Sequence, residues 1–257
     1  MNAPRKPRHP ATVLRVQRLT PRMVRIVFGG PALAAFNWNG PAAHIKLIMG
    51  APDADPDSRP LSRTYTPRHF DAQRLELTVD FVLHGTGPAA SWAAQAEVGQ
   101  SMIIAGPGRC YALDPQAQWL LLGGDESAIP AIATILDVVP DTVRTQVLVE
   151  VDAAADEFAI APARPNVSLR WLHRAQPLLD HGNAGPAGIE LAAAVAAFQQ
   201  PAGTGAVYVA CEADAMRRIR RHLLVERALA REWVTTRGYW KQGATDYPDR
   251  DYGEDVA

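Results

Sequence analysis

Trp119-Leu120-Leu121-Leu122-Gly123-Gly124-Asp125-Glu126-Ser127-Ala128-Ile129-Pro130-Ala131-Ile132 decides the second half of the chain. Trp119 to Leu122 is a continuous apolar run, as expected of a strand buried on both faces. The two glycines predict a turn, and Ala128 to Val138 a helix with Pro130 in its first turn, where a missing N–H costs little. Strand, glycine turn and helix together make a nucleotide-binding crevice. Downstream, the pattern predicts strands over Thr145–Val151, Leu169–Leu172 and Ala206–Cys211 and helices over Ile189–Gln199 and Asp214–Arg231. Strands alternating with helices imply a parallel sheet with crossovers.

Upstream the chain reads differently. Thr12–Thr20, Met23–Phe28, His44–Met49, Leu75–Phe81 and Ser101–Ala105 are short strand-like runs. The alternation of Leu75, Leu77, Val79 and Phe81 with Glu76, Thr78 and Asp80 is the clearest. Gly/Pro clusters punctuate them, and Ala51–Pro60, rich in Asp and Pro, reads as a surface loop. These features predict an N-terminal antiparallel β-barrel domain over 1–113 and a C-terminal α/β parallel-sheet domain over 114–257. The polar tail after Gly243 reads as frayed.

Composition narrows the function. The 257 residues are 47% hydrophobic and 21% charged, with a formal net charge of -1. That balance argues against bulk attraction to nucleic acid or an anionic membrane, though a local basic pocket is compatible with it. No apolar run approaches the roughly 18 residues of a membrane span, and Met1–Pro10 lacks the apolar core of a secretory signal. A cytoplasmic location is expected. Cys110 and Cys211 show no metal or redox spacing and read as reduced thiols. No His/Cys/carboxylate cluster suggests a permanent metal.

Ser62-Arg63-Thr64-Tyr65-Thr66-Pro67-Arg68 carries chemistry of its own. On a strand, Arg63 and Tyr65 face one way and Thr64 and Thr66 the other. Arginine offers a donor fork to a pyrophosphate. A tyrosine ring can lie on a flat heterocycle. His84-Gly85-Thr86-Gly87-Pro88-Ala89-Ala90-Ser91-Trp92-Ala93 is rich in small residues that let backbone N–H groups approach an anion, with a helix expected to open near Ser91. Trp92 reads as core.

The arginine segment resembles the Arg-x-Tyr-Thr-x-Arg flavin motif of siderophore-interacting proteins, a branch of the ferredoxin-reductase-like superfamily. The His84 segment is similar to that family's His-Gly-x-x-Gly-Pro-Ala-x-x-Trp-Ala run. Gly124-Asp125-Glu126-Ser127 resembles its Gly-Asp-Glu-Ser/Thr segment, and Gly238-Tyr239-Trp240-Lys241-Gln242-Gly243 its terminal Gly-Tyr-Trp-Arg/Lys-x-Gly. The resemblance runs from Thr12 to Gly243.

It implies an FAD-containing, NADPH- or NADH-dependent reductase of ferric siderophores. Tyr65 and Thr66 would lie at the reacting ring. Arg63, Thr64, Tyr65, Thr66, Arg68, His84, Gly87, Pro88, Ala89, Ala90 and Ser91 would hold FAD. Asp125, Glu126 and Ser127 would line the nicotinamide end. Lys46, in a His-x-Lys strand like the family's, and Arg109, Arg237 and Lys241 would attract the anionic ferric complex. The short segment after Gly243 resembles the family's shorter, NADPH-using group. Arg217, Arg218, Arg220 and Arg221 offer a cation to a 2′-phosphate or form a solvated helix face. Two other readings stay open: a general flavin or ferredoxin-type reductase, with ferredoxin as an alternative electron donor or another protein as acceptor, and a non-catalytic ferric-siderophore binder.

Overall fold

The computed structural model describes residues 6–49, 61–83, 87–175, 186–244, 247 and 251–254. His84 and the expected loop at 51–60 lie outside the described residues. The chain forms two compact units, Met1–Ala112 and Leu113–Ala257.

The first unit holds β1 (Arg8–Thr20), β2 (Met23–Gly29), β3 (Ile45–Met49), β4 (Leu61–Tyr65), β5 (Pro67–Asp71), β6 (Glu76–Val82), α1 (Pro88–Ala94) and β7 (Ser101–Ala105). They make one antiparallel sheet in the order β4-β3-β7-β1-β2-β6-β5. Its two edges, β4 and β5, are separated in the chain by Thr66 alone. Laid flat, seven strands would hold their edges about 29 Å apart. One intervening residue spans at most about 7 Å. The sheet therefore curls until its edges meet, and the chain crosses the seam at Thr66.

Alternation fills the barrel: Val13, Ile26, Phe28, Ile45, Leu47, Leu77, Val79, Phe81 and Ile104 are buried in one cluster. Outside it, Arg25 reaches both oxygens of Asp80 across β2 and β6, at 2.7 and 2.8 Å. Leu75, expected to begin β6, instead takes a left-handed φ of 53° in the turn before it. Trp92 packs on the core, its ring stacked 6.2 Å from Phe28. Helix α1 starts at Pro88, earlier than Ser91, because Pro is preorganised for a first helical position.

The second unit holds β8 (Trp119–Asp125), α2 (Ile129–Leu136), β9 (Arg144–Val151), β10 (Val167–His173), α3 (Ile189–Ala196), β11 (Gly205–Glu212), α4 (Ala213–Arg221) and β12 (Val234–Trp240). The sheet is parallel, in the order β10-β9-β8-β11-β12. Strand order reverses between β8 and β11, and both strands are buried at every position.

Gly123 and Gly124 belong to β8 rather than to a turn. A Cβ on Gly124 would lie 2.4 Å from the Ala128 Cβ and 2.7 Å from the Ala210 carbonyl, so glycine here serves close packing. Helix α4 ends well before Arg231. It runs through a π-helical turn at His222–Glu226 and closes with Leu229 N–H on Leu223 O, with Ala228 left-handed. The tail is not frayed throughout. Gly238 N–H donates to Asp251 O, Thr236 Oγ1 donates to Tyr252 O, and Gly253 is buried.

Candidate active site

The seam concentrates the arginine motif. Edge strands keep one row of N–H and C=O groups outside their ladder. Both edges that meet at Thr66 present such a row. In register, Leu47 opposes Arg63 and Ile45 opposes Tyr65, while Lys46 opposes Thr64. Directly opposed residues share a face. Arg63 and Tyr65 thus stand on the side of the buried Ile45 and Leu47, and Lys46 stands beside Thr64 on the other. Arg63 is half-buried and donates from Nη1 to Ser62 O at 2.9 Å. Thr66 is buried and Arg68 half-buried.

The Tyr65 ring centroid lies 4.5 Å from that of Phe81. Burial raises its phenol well above the ordinary value, against a smaller opposing effect of the Arg63 charge. The hydroxyl therefore stays a neutral donor. Gly87 is the N-cap of α1, and a Cβ there would meet nothing within 4 Å. Pro88 is half-buried and Ala89 and Ala90 are buried. Ser91 is exposed within α1, its own N–H spent on Gly87 O at 2.9 Å. Two guanidiniums, a neutral aromatic phenol, edge-strand amides and an open glycine are a donor set that fits FAD, whose pyrophosphate is anionic and whose ring is flat.

The second unit places its polar residues at the carboxyl end of the sheet. Asp125, the last residue of β8, accepts from Ser127 N at 2.9 Å and Ser127 Oγ at 2.5 Å through Oδ1. Through Oδ2 it accepts from Glu212 N at 3.0 Å and Trp240 Nε1 at 2.8 Å. Burial, then the neighbouring Glu126 charge, pushes its carboxyl up to about 6. Glu126 is buried against Arg174, which also donates to Glu150 at 2.8 Å and Asp152 at 2.5 Å. Glu150 accepts from Gly188 N and Leu191 N at the start of α3. Glu212 accepts from Asp214 N and Ala215 N at the start of α4. The side chains of Asp125, Glu126 and Ser127 are thus committed to one another and to Arg174, and they shape the end of the sheet.

The remaining candidates are dispersed. Arg109 is exposed in the first unit. In the second, the Arg237 guanidinium lies 4.1 Å from the Tyr252 ring centroid, and Lys241 pairs with Asp214 at 3.1 Å. Arg217 pairs with Asp251, Arg218 donates to Ala187 O, and Arg220 is buried on Thr236, so only part of that arginine run is solvated. Sequence reasoning missed Arg174, Glu150, Asp152 and Glu212. The available signal was a carboxylate at the end of an apolar strand, which needs a partner when buried. Among the described residues no group of three or more His, Cys, Asp or Glu could hold a metal ion, and no helix is long and apolar enough to cross a membrane.

An antiparallel barrel with an arginine–tyrosine seam, followed by a parallel sheet reversing at its first strand, defines a flavoprotein of the ferredoxin-reductase-like class. A ferredoxin NADP+ reductase structure from Neisseria gonorrhoeae shares the fold, with a TM-score of 0.64 over 91% of this chain and 99% of that one at 13% identity. Residues 12–58 and 51–111 match the siderophore-interacting FAD-binding domain, and 117–243 match siderophore-interacting protein. The chain belongs to the siderophore-interacting protein family, and FAD is its cofactor. It is 31% identical to the ferric vibriobactin reductase ViuB of Vibrio cholerae, covering 91% of this chain and 89% of the relative. It is 38% identical to the NADPH-dependent ferric-chelate reductase of Escherichia coli over 49% of this chain and 55% of that one. A siderophore utilization protein structure from T. fusca is 34% identical, covers 96% of each chain and has a TM-score of 0.81.

Proposed function

We propose that the chain reduces ferric siderophores with electrons from NADPH or NADH and releases Fe(II). The observation that carries this is the seam itself, where the motif from Arg63 to Arg68 crosses between two sheet edges with Lys46 in register with Thr64. The names of the Vibrio cholerae and Escherichia coli relatives support the reaction class. Bound FAD supplies the coupling between a hydride donor and an acceptor that takes one electron at a time.

The residues divide the work. Arg63 and Arg68 hold the pyrophosphate through charge-assisted hydrogen bonds. Tyr65 covers the flat ring and excludes water, its neutral hydroxyl adding a donor. Thr64 and Thr66 offer hydroxyls or backbone N–H groups to the ring edge. Gly87, Pro88, Ala89, Ala90 and Ser91 leave room for phosphate, and His84 serves the adenosine part. Asp125, Glu126 and Ser127 build the crevice for the nicotinamide end. Lys46 and Arg109 in the first unit, and separately Arg237 and Lys241 in the second, are the cations proposed to attract the anionic ferric complex. Fe(II) binds hard anionic oxygens more weakly than Fe(III), so reduction frees the metal and spares the chelator. The cytoplasm, which holds the nicotinamide pool, is the setting.

The experiment is anaerobic. Flavin-loaded protein is mixed with NADPH or NADH and then with a panel of ferric siderophores and a ferrous trap. Bleaching by a nicotinamide and trapped Fe(II) are expected. Bleaching by reduced ferredoxin but by neither nicotinamide overturns the donor, and bleached protein that yields no Fe(II) overturns the acceptor.

A further inference from the structure

We infer that the outer edge of β1, from Leu14 to Arg18, is a docking strand for an acidic, extended segment of a partner protein. This goes beyond the reductase reading and does not depend on it. Strand β1 is 13 residues long, whereas its neighbour β7 is only 5. Their register runs from Arg8 opposite Ala105 to Thr12 opposite Ser101. The last bonds on that side are Val13 N–H to Gln100 O at 2.8 Å and Gly99 N–H to Val13 O at 2.9 Å. On the other side β2 continues, with Arg15 opposite Val27 and Arg18 opposite Val24. Among the described residues no strand pairs with β1 on the β7 side beyond Val13. The backbone there presents a row of N–H and C=O groups that an added strand can take up.

The side chains along this stretch suit a strand as occupant. Leu14, Arg15, Val16, Gln17 and Arg18 are all exposed. Two of them are large and apolar, and a third exposed apolar residue, Val98, precedes Gly99 where the edge opens. Apolar side chains alternating with polar ones beside unpaired backbone match a second strand, whose side chains alternate with the same period.

Charge selects which strand. Residues 1–50 contain no Asp or Glu. Within the β1–β2 hairpin, Arg15 is met by Glu76 and Arg25 by Asp80, both from β6. Arg18 pairs with no carboxylate among the described residues. A second copy's β1 would bring like charges onto this edge, so the arginines that block self-pairing admit an acidic strand. Nucleic acid and anionic lipid also attract arginine, but neither extends a β-ladder. In antiparallel register the occupant sets a carboxylate opposite Arg18, apolar residues opposite Val16 and Leu14, and a second carboxylate opposite Arg15, which Arg15 shares with Glu76.

The test uses the flavin-loaded protein and a capped peptide, Thr-Glu-Thr-Val-Glu-Val-Thr, with a counterpart carrying Lys for each Glu. Binding is read by fluorescence anisotropy of labelled peptide, and strand addition by amide hydrogen exchange over residues 14–20. The acidic peptide is expected to bind and to slow exchange there, and the basic one to do neither. Arg18→Glu should weaken the acidic peptide about threefold to tenfold and admit the basic one, with Arg18→Gln between the two proteins. Equal binding of both peptides, unchanged exchange over 14–20, or no response to Arg18→Glu and Arg18→Gln overturns the assignment. So does stronger protection of 14–20 by duplex DNA, by phosphatidylglycerol vesicles or by a concentration-dependent dimer. The reductase reading, checked by Fe(II) release, stands or falls separately.

Discussion

The Arg174 guanidinium clasps both carboxylate oxygens of Glu126, at 2.5 and 2.7 Å, and both side chains are buried. The same cation reaches Glu150 and Asp152, so one arginine at the end of β10 serves three carboxylates from the neighbouring strand ends. Removing one partner of a buried pair leaves uncompensated charge, typically at a cost of about 3–5 kcal/mol. Arg174→Ala is expected to lower the unfolding free energy of the second unit by an amount in that range, read as a fall in its denaturant midpoint at constant slope. A midpoint within error of wild type would show that the cluster is solvated in solution.

Asp125 makes stability depend on pH. Its carboxyl is pushed from 3.8 up to about 6, first by burial and then by Glu126. The folded state thus binds this proton more tightly than the unfolded state. The stability it contributes is complete below about 3.8 and is lost as pH rises through about 6. Ser127, Trp240, Arg174, Glu212 and Cys211 are the other groups in its surroundings. The stability of wild type minus that of Asp125→Asn should fall between pH 4 and pH 7 by on the order of 2–3 kcal/mol. Denaturant titrations of both proteins across that window test it; a constant difference contradicts it.

Arg63→Ala should give folded protein depleted in FAD. Truncating one partner of a buried charged hydrogen bond costs about 2–5 kcal/mol. The check is the ratio of flavin to protein absorbance after purification, with circular dichroism to confirm folding. Full occupancy with unchanged affinity removes Arg63 from the flavin site.

Lys46 shares a face and a register position with Thr64. Lys46→Ala should raise KM for an anionic ferric siderophore and leave the reduction of a small neutral acceptor near wild type. Equal losses with both acceptors would place the lysine in flavin binding or folding.

The strand patterns were legible wherever one face is buried and the other wet, as in Leu77, Val79 and Phe81. They failed where tertiary contact overrides local preference. Gly123-Gly124 looks like a turn in sequence, and only the approach of Ala128 and the Ala210 carbonyl explains why a strand needs glycine there. The polar composition of the tail concealed its contacts with β12, because Asp251 is buried by Arg217 and the Gly238 backbone rather than by apolar neighbours. The arginine–tyrosine segment was readable as a motif. Its position at the seam was not, because strand order is a long-range property. Arg174 was invisible for the same reason: its partners are 22 to 48 residues away in the chain.

The single residue between β4 and β5 has a bearing on how such a protein can diverge. Side-chain direction reverses with every residue along a strand, so one residue added or lost at Thr66 would turn all of β5 inside out. The buried Pro67 would exchange faces with its neighbours, and the pairing of Phe70 with Leu77 would be lost. Drift at this joint is therefore confined to substitution: residues can be exchanged between Arg63 and Arg68, but the number of peptide units between them is held constant by the closure of the barrel.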